Sequence, residues 1–336
     1  MNGIDLSLIW AGVIFFGVMM YVVMDGFDLG VGMLYPFLPE REDRDVMMNT
    51  IAPVWDGNET WLVLGGAGLL AAFPLAYSVI LSALYLPLIF MLLGLIFRGV
   101  AFEFRFKAHD HERHWWDKAF IGGSTVAAFF QGVALGAYID GIPMIGRSYS
   151  GGAFDWFAPF PVFVGVGVVV AYTLLGCCWL IWKTEGALQQ QMRTVALPLA
   201  WSMLLIIGVI SLWTPLTHEA IAQRWFAMPN LLWLSPVPVL VALAMWRLLR
   251  ALRHGRDLQP FLYALALILL AYLGLGISLW PYVIPPEISI WDAAAPVQSQ
   301  EFALIGTLAI IPLILAYTAW SYYVFRGKVR HGDGYH

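Results

Sequence analysis

Charge is scarce in this sequence. Only 12% of its 336 residues are Asp, Glu, Lys or Arg, against about 25% in soluble domains. With 60% hydrophobic residues, this excludes an ordinary soluble protein and leaves an all-α polytopic membrane protein in a lipid bilayer. A net charge of −4 offers no basic surface for nucleic acid. Cysteine is nearly absent. Cys177 and Cys178 sit side by side in an apolar run, which suits neither a disulfide framework nor a zinc site and reads as two small buried residues. No basic residue precedes Arg41, so the first apolar segment lacks the positive start of a cleaved signal and is expected to remain as a span. There is no GxxxxGK[ST] loop, CxxC motif or hydrolytic triad. No apolar run contains histidine: His109, His111, His114, His218, His254, His331 and His336 all fall in loops or the tail. Membrane haem is held by His or Met from facing helices. Met19, Met20, Met24, Met91, Met203 and Met245 read as core filler, so the chain alone is expected to bind no haem. His109, His111 and His114, set among Lys107, Asp110, Glu112 and Arg113, read as a solvated loop rather than a metal site.

Long apolar runs are what the sequence has in abundance. A spanning helix takes about 20 apolar residues, and the runs predict nine: Leu6–Leu34, Val54–Phe73, Tyr77–Val100, Asp117–Gly141, Pro159–Trp182, Val195–Trp213, Asn230–Leu249, Pro260–Tyr282 and Phe302–Phe325. The uncharged stretch from Trp61 to Phe97 must be cut once, and Phe73-Pro74 is the natural hinge because proline disfavours helix in the residue before it. The basic residues test this reading. With the N-terminus outside and the C-terminus inside, all but Arg147 and Arg224 of the 18 lysines and arginines fall in inside segments or adjoining helix ends. The outside segments 142–158, 214–229 and 283–301 read as capping loops. Gly165, Gly167, Gly176, Gly274 and Gly276 suit close helix packing.

The scarce acids concentrate at two places. Asp25 and Asp28 are three apart late in the first run, so on a helix they share a face. A carboxylate at the bilayer centre costs about 2.5–3.5 kcal/mol, which sends such residues to the protein interior. The alternative ends the helix near Met24 and leaves both acids in the interface. Asp56 and Glu59 open the second run after Pro53, where acids also suit a helix start. Topology nevertheless puts all four on one side, where carboxylates gathered in a dry site suit the carrying of protons and Arg98 can offset one of them. Trp55 and Trp61 fit either an interfacial aromatic belt or a flat wall for a quinone ring. Gln131 and Tyr138 lie inside the fourth run and Asp140 at its outer end, while Glu301 opens the ninth.

Three stretches carry a resemblance. They are Asp25-Gly-Phe-Asp28-Leu-Gly-Val-Gly-Met33, Asn49-Thr-Ile-Ala-Pro-Val-Trp55-Asp56-Gly-Asn-Glu59-Thr-Trp61 and Phe97-Arg98-Gly-Val-Ala-Phe-Glu103-Phe-Arg105. In that order and spacing they resemble subunit II of cytochrome bd-type ubiquinol oxidases, and the short chain is similar to the cyanide-insensitive branch. The motifs cover the first third; beyond them the likeness is one of length, span count and orientation. The resemblance implies two four-helix bundles (residues 1–141 and 159–282) plus a peripheral helix (302–325) in the bacterial cytoplasmic (inner) membrane. It implies a partner subunit I that carries haem b and haem d, or b-type haem only, and leaves open a small single-span subunit. The complex would oxidise quinol and reduce dioxygen to water. By motif position, Asp25, Asp28 and especially Asp56, with Glu59 as a weaker member, would lead cytoplasmic protons toward subunit I. Trp55 and Arg98 match the place where some members hold a structural ubiquinone. Two rivals remain: a proton-coupled secondary transporter using the same acids, and a purely structural subunit.

Overall fold

The computed structural model describes residues 5–332. The chain runs through α1 (Leu6–Leu34), α2 (Arg41–Ile51), α3 (Trp55–Ala72), α4 (Pro74–Arg105) and α5 (Arg113–Asp140). A hairpin of β1 (Met144–Ile145) and β2 (Ser148–Tyr149) leads to α6 (Pro159–Lys183), α7 (Gly186–Thr217), α8 (Glu219–Phe226), α9 (Asn230–Leu234), α10 (Pro236–Arg253) and α11 (Leu258–Leu279). A second hairpin, β3 (Tyr282–Ile284) with β4 (Ile288–Ser289), precedes α12 (Val297–Val324). Both hairpins are antiparallel and fall in the segments expected to cap the helices.

Among the described residues, eight helices are long and apolar enough to cross a membrane. The chain is a multi-pass, all-α membrane protein. The second expected span forms as α3, yet it is not one of the eight. Its first two turns hold Asp56, Asn58, Glu59 and Thr60, and its 18 residues reach only about 27 Å. Several helices outrun their apolar stretches. α4 continues from Val100 to Arg105 and α7 occupies Gly186–Thr217 rather than Val195–Trp213. Hydropathy marks the slab a helix crosses, whereas backbone hydrogen bonding carries the helix on through polar turns at either end.

Local chemistry explains the breaks. Asp5 caps α1, its side chain accepting from the Leu8 amide at 3.0 Å. Phe73 leaves helical geometry (φ −133°, ψ 64°), and Pro74 opens α4 where its missing amide proton costs nothing. Leu84 is non-helical inside α4, three residues before Pro87, whose ring interrupts the hydrogen-bond ladder. The acids of α1 do not end the helix, which runs unbroken through Asp25 and Asp28 to Leu34 with both carboxylates buried inside the chain.

Two glycine contacts place the helices around those acids. A Cβ on Gly176 of α6 would lie 2.5 Å from the Gly30 carbonyl carbon of α1. A Cβ on Gly94 of α4 would lie 2.7 Å from the Gly123 carbonyl oxygen of α5. Only backbones without side chains can approach so closely. The first contact sets α6 beside the Asp25–Asp28 turn, and the second holds the α4 backbone one turn before Arg98. Cys177 and Cys178 are buried and unbridged in the core around Phe27, Trp179 and Phe261.

Candidate functional site

Arg98 is wholly buried, and its guanidinium organises the site. Its Nη1 donates to Asp25 Oδ1 at 2.5 Å and its Nη2 to Glu59 Oε2 at 2.8 Å. One side chain of α4 thereby ties α1 to α3. Asp25 is buried to 1%, whereas the Glu59 side chain keeps 28% of its surface. The pair therefore runs from the interior toward the surface of the chain. Asp28, one turn further along α1, is fully buried. Its Oδ2 accepts from Asn58 Nδ2 at 2.8 Å, and its Oδ1 has no hydrogen-bond partner among the described residues. Three carboxylates thus share one guanidinium in an apolar setting. If all three were ionised the group would carry excess negative charge, which burial strongly penalises. Holding a proton among them relieves that excess, and a proton so held can be exchanged.

Trp55 lies flat on Phe102, with ring centres 4.9 Å apart and planes 2° apart, and the Arg98 guanidinium lies 5.7 Å from its ring. Of the six residues singled out by sequence, Asp25, Asp28, Glu59 and Arg98 come together and Trp55 flanks them. Asp56 does not join. It is exposed on the first turn of α3 and makes no hydrogen bond or ion pair among the described residues. Trp61 is not an interfacial belt residue: it is buried to 1%, edge-on to Phe16. The helical period explains this split. Asn58 and Trp61 face inward three residues apart, and Asp56 falls on the opposite side.

Two participants escaped the sequence reading. Asn58, fully buried, donates to Asp28 and to the Met24 carbonyl at 3.3 Å. Tyr322, near the end of α12, donates its hydroxyl proton to Asn58 Oδ1 at 3.0 Å. Asn58 stood inside a quoted motif and could have been found by asking which face of α3 meets Asp28. Nothing local marks Tyr322, which arrives through tertiary packing alone. Gln131 likewise finds a partner, donating to the Tyr172 hydroxyl at 2.9 Å.

A second ionic layer lies at the ends of the helices. Arg105 bonds Asp45 and Asp117, each at 2.5 Å, and Arg44 bonds Asp117 at 2.9 Å, which ties α2, α4 and α5. Across the same layer, Asp257 receives Arg193 at 2.7 Å and Lys328 at 2.8 Å. Partial burial of Asp257 opposes ionisation. The bond and charge of Lys328, with the charge of Arg193, outweigh it and hold this carboxyl below the usual carboxylate range. Among the described residues, no group of three or more His, Cys, Asp or Glu is arranged to hold a metal ion.

Comparison with known proteins settles the family. Residues 6–325 match the family model for cytochrome bd terminal oxidase subunit II. The chain belongs to that family. It is 30% identical to the cytochrome bd-I ubiquinol oxidase subunit 2 of Escherichia coli K12, over 98% of this chain and 96% of that one. It is 32% identical to the cytochrome bd ubiquinol oxidase subunit 2 of Bacillus subtilis, over 98% and 97%. In fold it resembles a chain of the bd oxidase from Geobacillus thermodenitrificans, with a TM-score of 0.77 at 19% identity, covering 96% of this chain and 99% of that one. Cytochrome bd oxidases are quinol:oxygen oxidoreductases, and this chain is a subunit of such a complex. The membership implies a partner subunit I and gives the transporter reading no support.

Proposed function

We propose that this subunit, itself free of haem, scaffolds the haem-bearing subunit I and carries part of the proton supply for dioxygen reduction. The observation that carries this reading is the buried group of Asp25, Asp28 and Glu59 around the single cation Arg98. Glu59, the least buried, is the entrance; Asp25 and Asp28 are the inner carriers. Asp56 stands outside this group and serves at most to gather protons at the surface. Quinol oxidation and dioxygen reduction belong to the complex, with haem b and haem d, or b-type haem only, in the partner. Protons drawn from one side of the membrane and released on the other generate a proton motive force without pumping.

The topology that goes with this reading is nine spans, N-terminus out and C-terminus in, in the bacterial inner membrane. They form two four-helix bundles (1–141 and 159–282) and a peripheral last helix. Its support is the single layer in which Arg44, Arg105, Arg193 and Lys328 meet their acids, because such a basic layer faces the cytoplasm. α3 then crosses as a short span sheltered by α1 and α4. A structural ubiquinone, where one is bound, would rest against Trp55. Two Arg98 nitrogens are committed to carboxylates, while its buried Nε has no hydrogen-bond partner among the described residues and remains a donor.

The test is to purify the tagged chain in mild detergent and record a reduced-minus-oxidised spectrum and quinol-driven oxygen uptake. A haem-bearing larger partner co-purifying with oxygen uptake is expected, and Asp28→Asn in that complex should lower turnover while haem content stays. A colourless chain, stable alone and without oxygen uptake, would overturn the assignment. Wild-type uptake by a fully assembled Asp28→Asn complex would leave a scaffold without a proton path.

A further inference from the structure

The last helix is the least buried of the long helices, with 6% of its most apolar stretch inside the chain. It nevertheless makes two polar contacts with the rest of the chain, one near each end, the first buried and the second half-buried. Near its start, the Gln300 carbonyl accepts from the Trp10 indole at 3.1 Å. Near its end, the Tyr322 hydroxyl reaches Asn58. The second contact enters the acid group. Asn58 has no freedom left: its NH2 faces Met24 and Asp28, and its oxygen faces Tyr322. A flipped amide would turn its oxygen toward the Asp28 carboxylate and the Met24 carbonyl, acceptor against acceptor, so those two groups select the orientation shown. In that orientation the Tyr322 hydroxyl donates to the amide oxygen and tethers Asn58 where its NH2 reaches Asp28. An amide is a poor proton carrier, so this chain of contacts orients and does not conduct. The stretch after α12 is pinned as well. Lys183 donates to the Phe325 carbonyl at 2.5 Å, and the Val329 amide donates to the Lys183 carbonyl at 2.8 Å.

We propose that Tyr322 and Asn58 are positioning residues, through which the last helix fixes the carboxylate of Asp28. The inference rests on the proton-supply reading above. It makes α12 part of the path's control rather than a peripheral anchor. The charged and titratable groups around Asp28 are Asp25 on its own helix, Glu59 on α3, Arg98 on α4 and Tyr322 on α12, with Tyr21 and Tyr172 beyond Asp25. Tyr322 is unusual among them in belonging to a helix otherwise largely exposed.

The experiment uses the complete oxidase with Tyr322→Phe, Asp28→Asn and the two combined. Phenylalanine keeps the ring that packs edge-on to Trp179 and removes only the hydroxyl. Oxygen uptake is measured against pH and against quinol concentration, with haem content as the check on assembly. Tyr322→Phe should keep its haem and its quinol KM and lower kcat about fivefold, the rate equivalent of one typical hydrogen bond. The pH profile of kcat should move by about half a unit. In the Asp28→Asn background the same change should cost nothing further. A wild-type rate and pH profile for Tyr322→Phe, or a loss that adds in full to that of Asp28→Asn, overturns the inference and leaves the proton path standing. An assembled Asp28→Asn oxidase with wild-type uptake removes the path itself, and the inference with it. If Tyr322→Phe does not assemble, Asn58→Ala with the same readings decides the matter.

Discussion

Replacing Arg98 by methionine removes the cation that holds Asp25 and Glu59 while keeping much of the side chain's length. Asp25 is 1% exposed and bonds Arg98 at 2.5 Å, so the loss leaves a buried carboxylate without its counter-charge. Breaking one partner of a buried pair costs about 3–5 kcal/mol. Glu59, at 28% exposure, can turn toward solvent and should add little. The cost should be largely recovered in Arg98→Met/Asp25→Asn, because the stranded charge is then gone and a neutral amide remains. The assay is the thermal midpoint of the purified oxidase for wild type, each single variant and the pair, at one detergent and lipid composition. Arg98→Met should melt several degrees below wild type and below the double variant. The reasoning fails if Arg98→Met is as stable as Asp25→Asn, or if the double variant is the least stable of the set. Either result would mean that Asp25 has another partner of comparable strength.

Three further predictions concern packing, the surface acid and the tail. Gly176→Leu should abolish assembly of the oxidase, seen as absent haem in purified membranes, because its Cβ alone would meet the Gly30 backbone at 2.5 Å. Asp56→Asn should keep full haem content and slow oxygen uptake less than Asp28→Asn does, since Asp56 lies outside the buried group. The Asp257 carboxyl is held below its ordinary range, so its contribution is present above the unfolded value of about 3.9 and is lost as pH falls through the lower folded value. Acidification below about pH 4 should therefore loosen the segment around Lys328, which Lys183 and Thr184 still hold, and speed its limited proteolysis modestly. Asp257→Asn should show the same modest increase already at pH 7.

The long helices were legible because hydropathy reports membrane crossing directly, and Phe73-Pro74 broke the longest run where proline chemistry required it. Boundaries were less legible: Arg105, Gly186 and Thr217 belong to helices whose polar ends carry no hydropathy signal. α3 shows the limit of that signal, since Asp56, Asn58 and Glu59 in its first turns lower its apolarity. Asp25, Asp28, Glu59 and Arg98 could be grouped because charges inside apolar runs are few and must find one another. That Asp56 does not join them was not legible, because a motif names residues without saying which face of a helix they occupy. Tyr322 lies 264 residues from Asn58, and no local pattern connects them.

The most direct test of the central claim is to reconstitute the complete oxidase in liposomes with subunit II facing one known way and to follow proton uptake after a pulse of oxygen. The account predicts uptake from the cytoplasmic face at the rate of turnover in wild type, and markedly slowed uptake in Asp28→Asn with unchanged haem spectra. Equal uptake in both, at the same rate and from the same face, would contradict it.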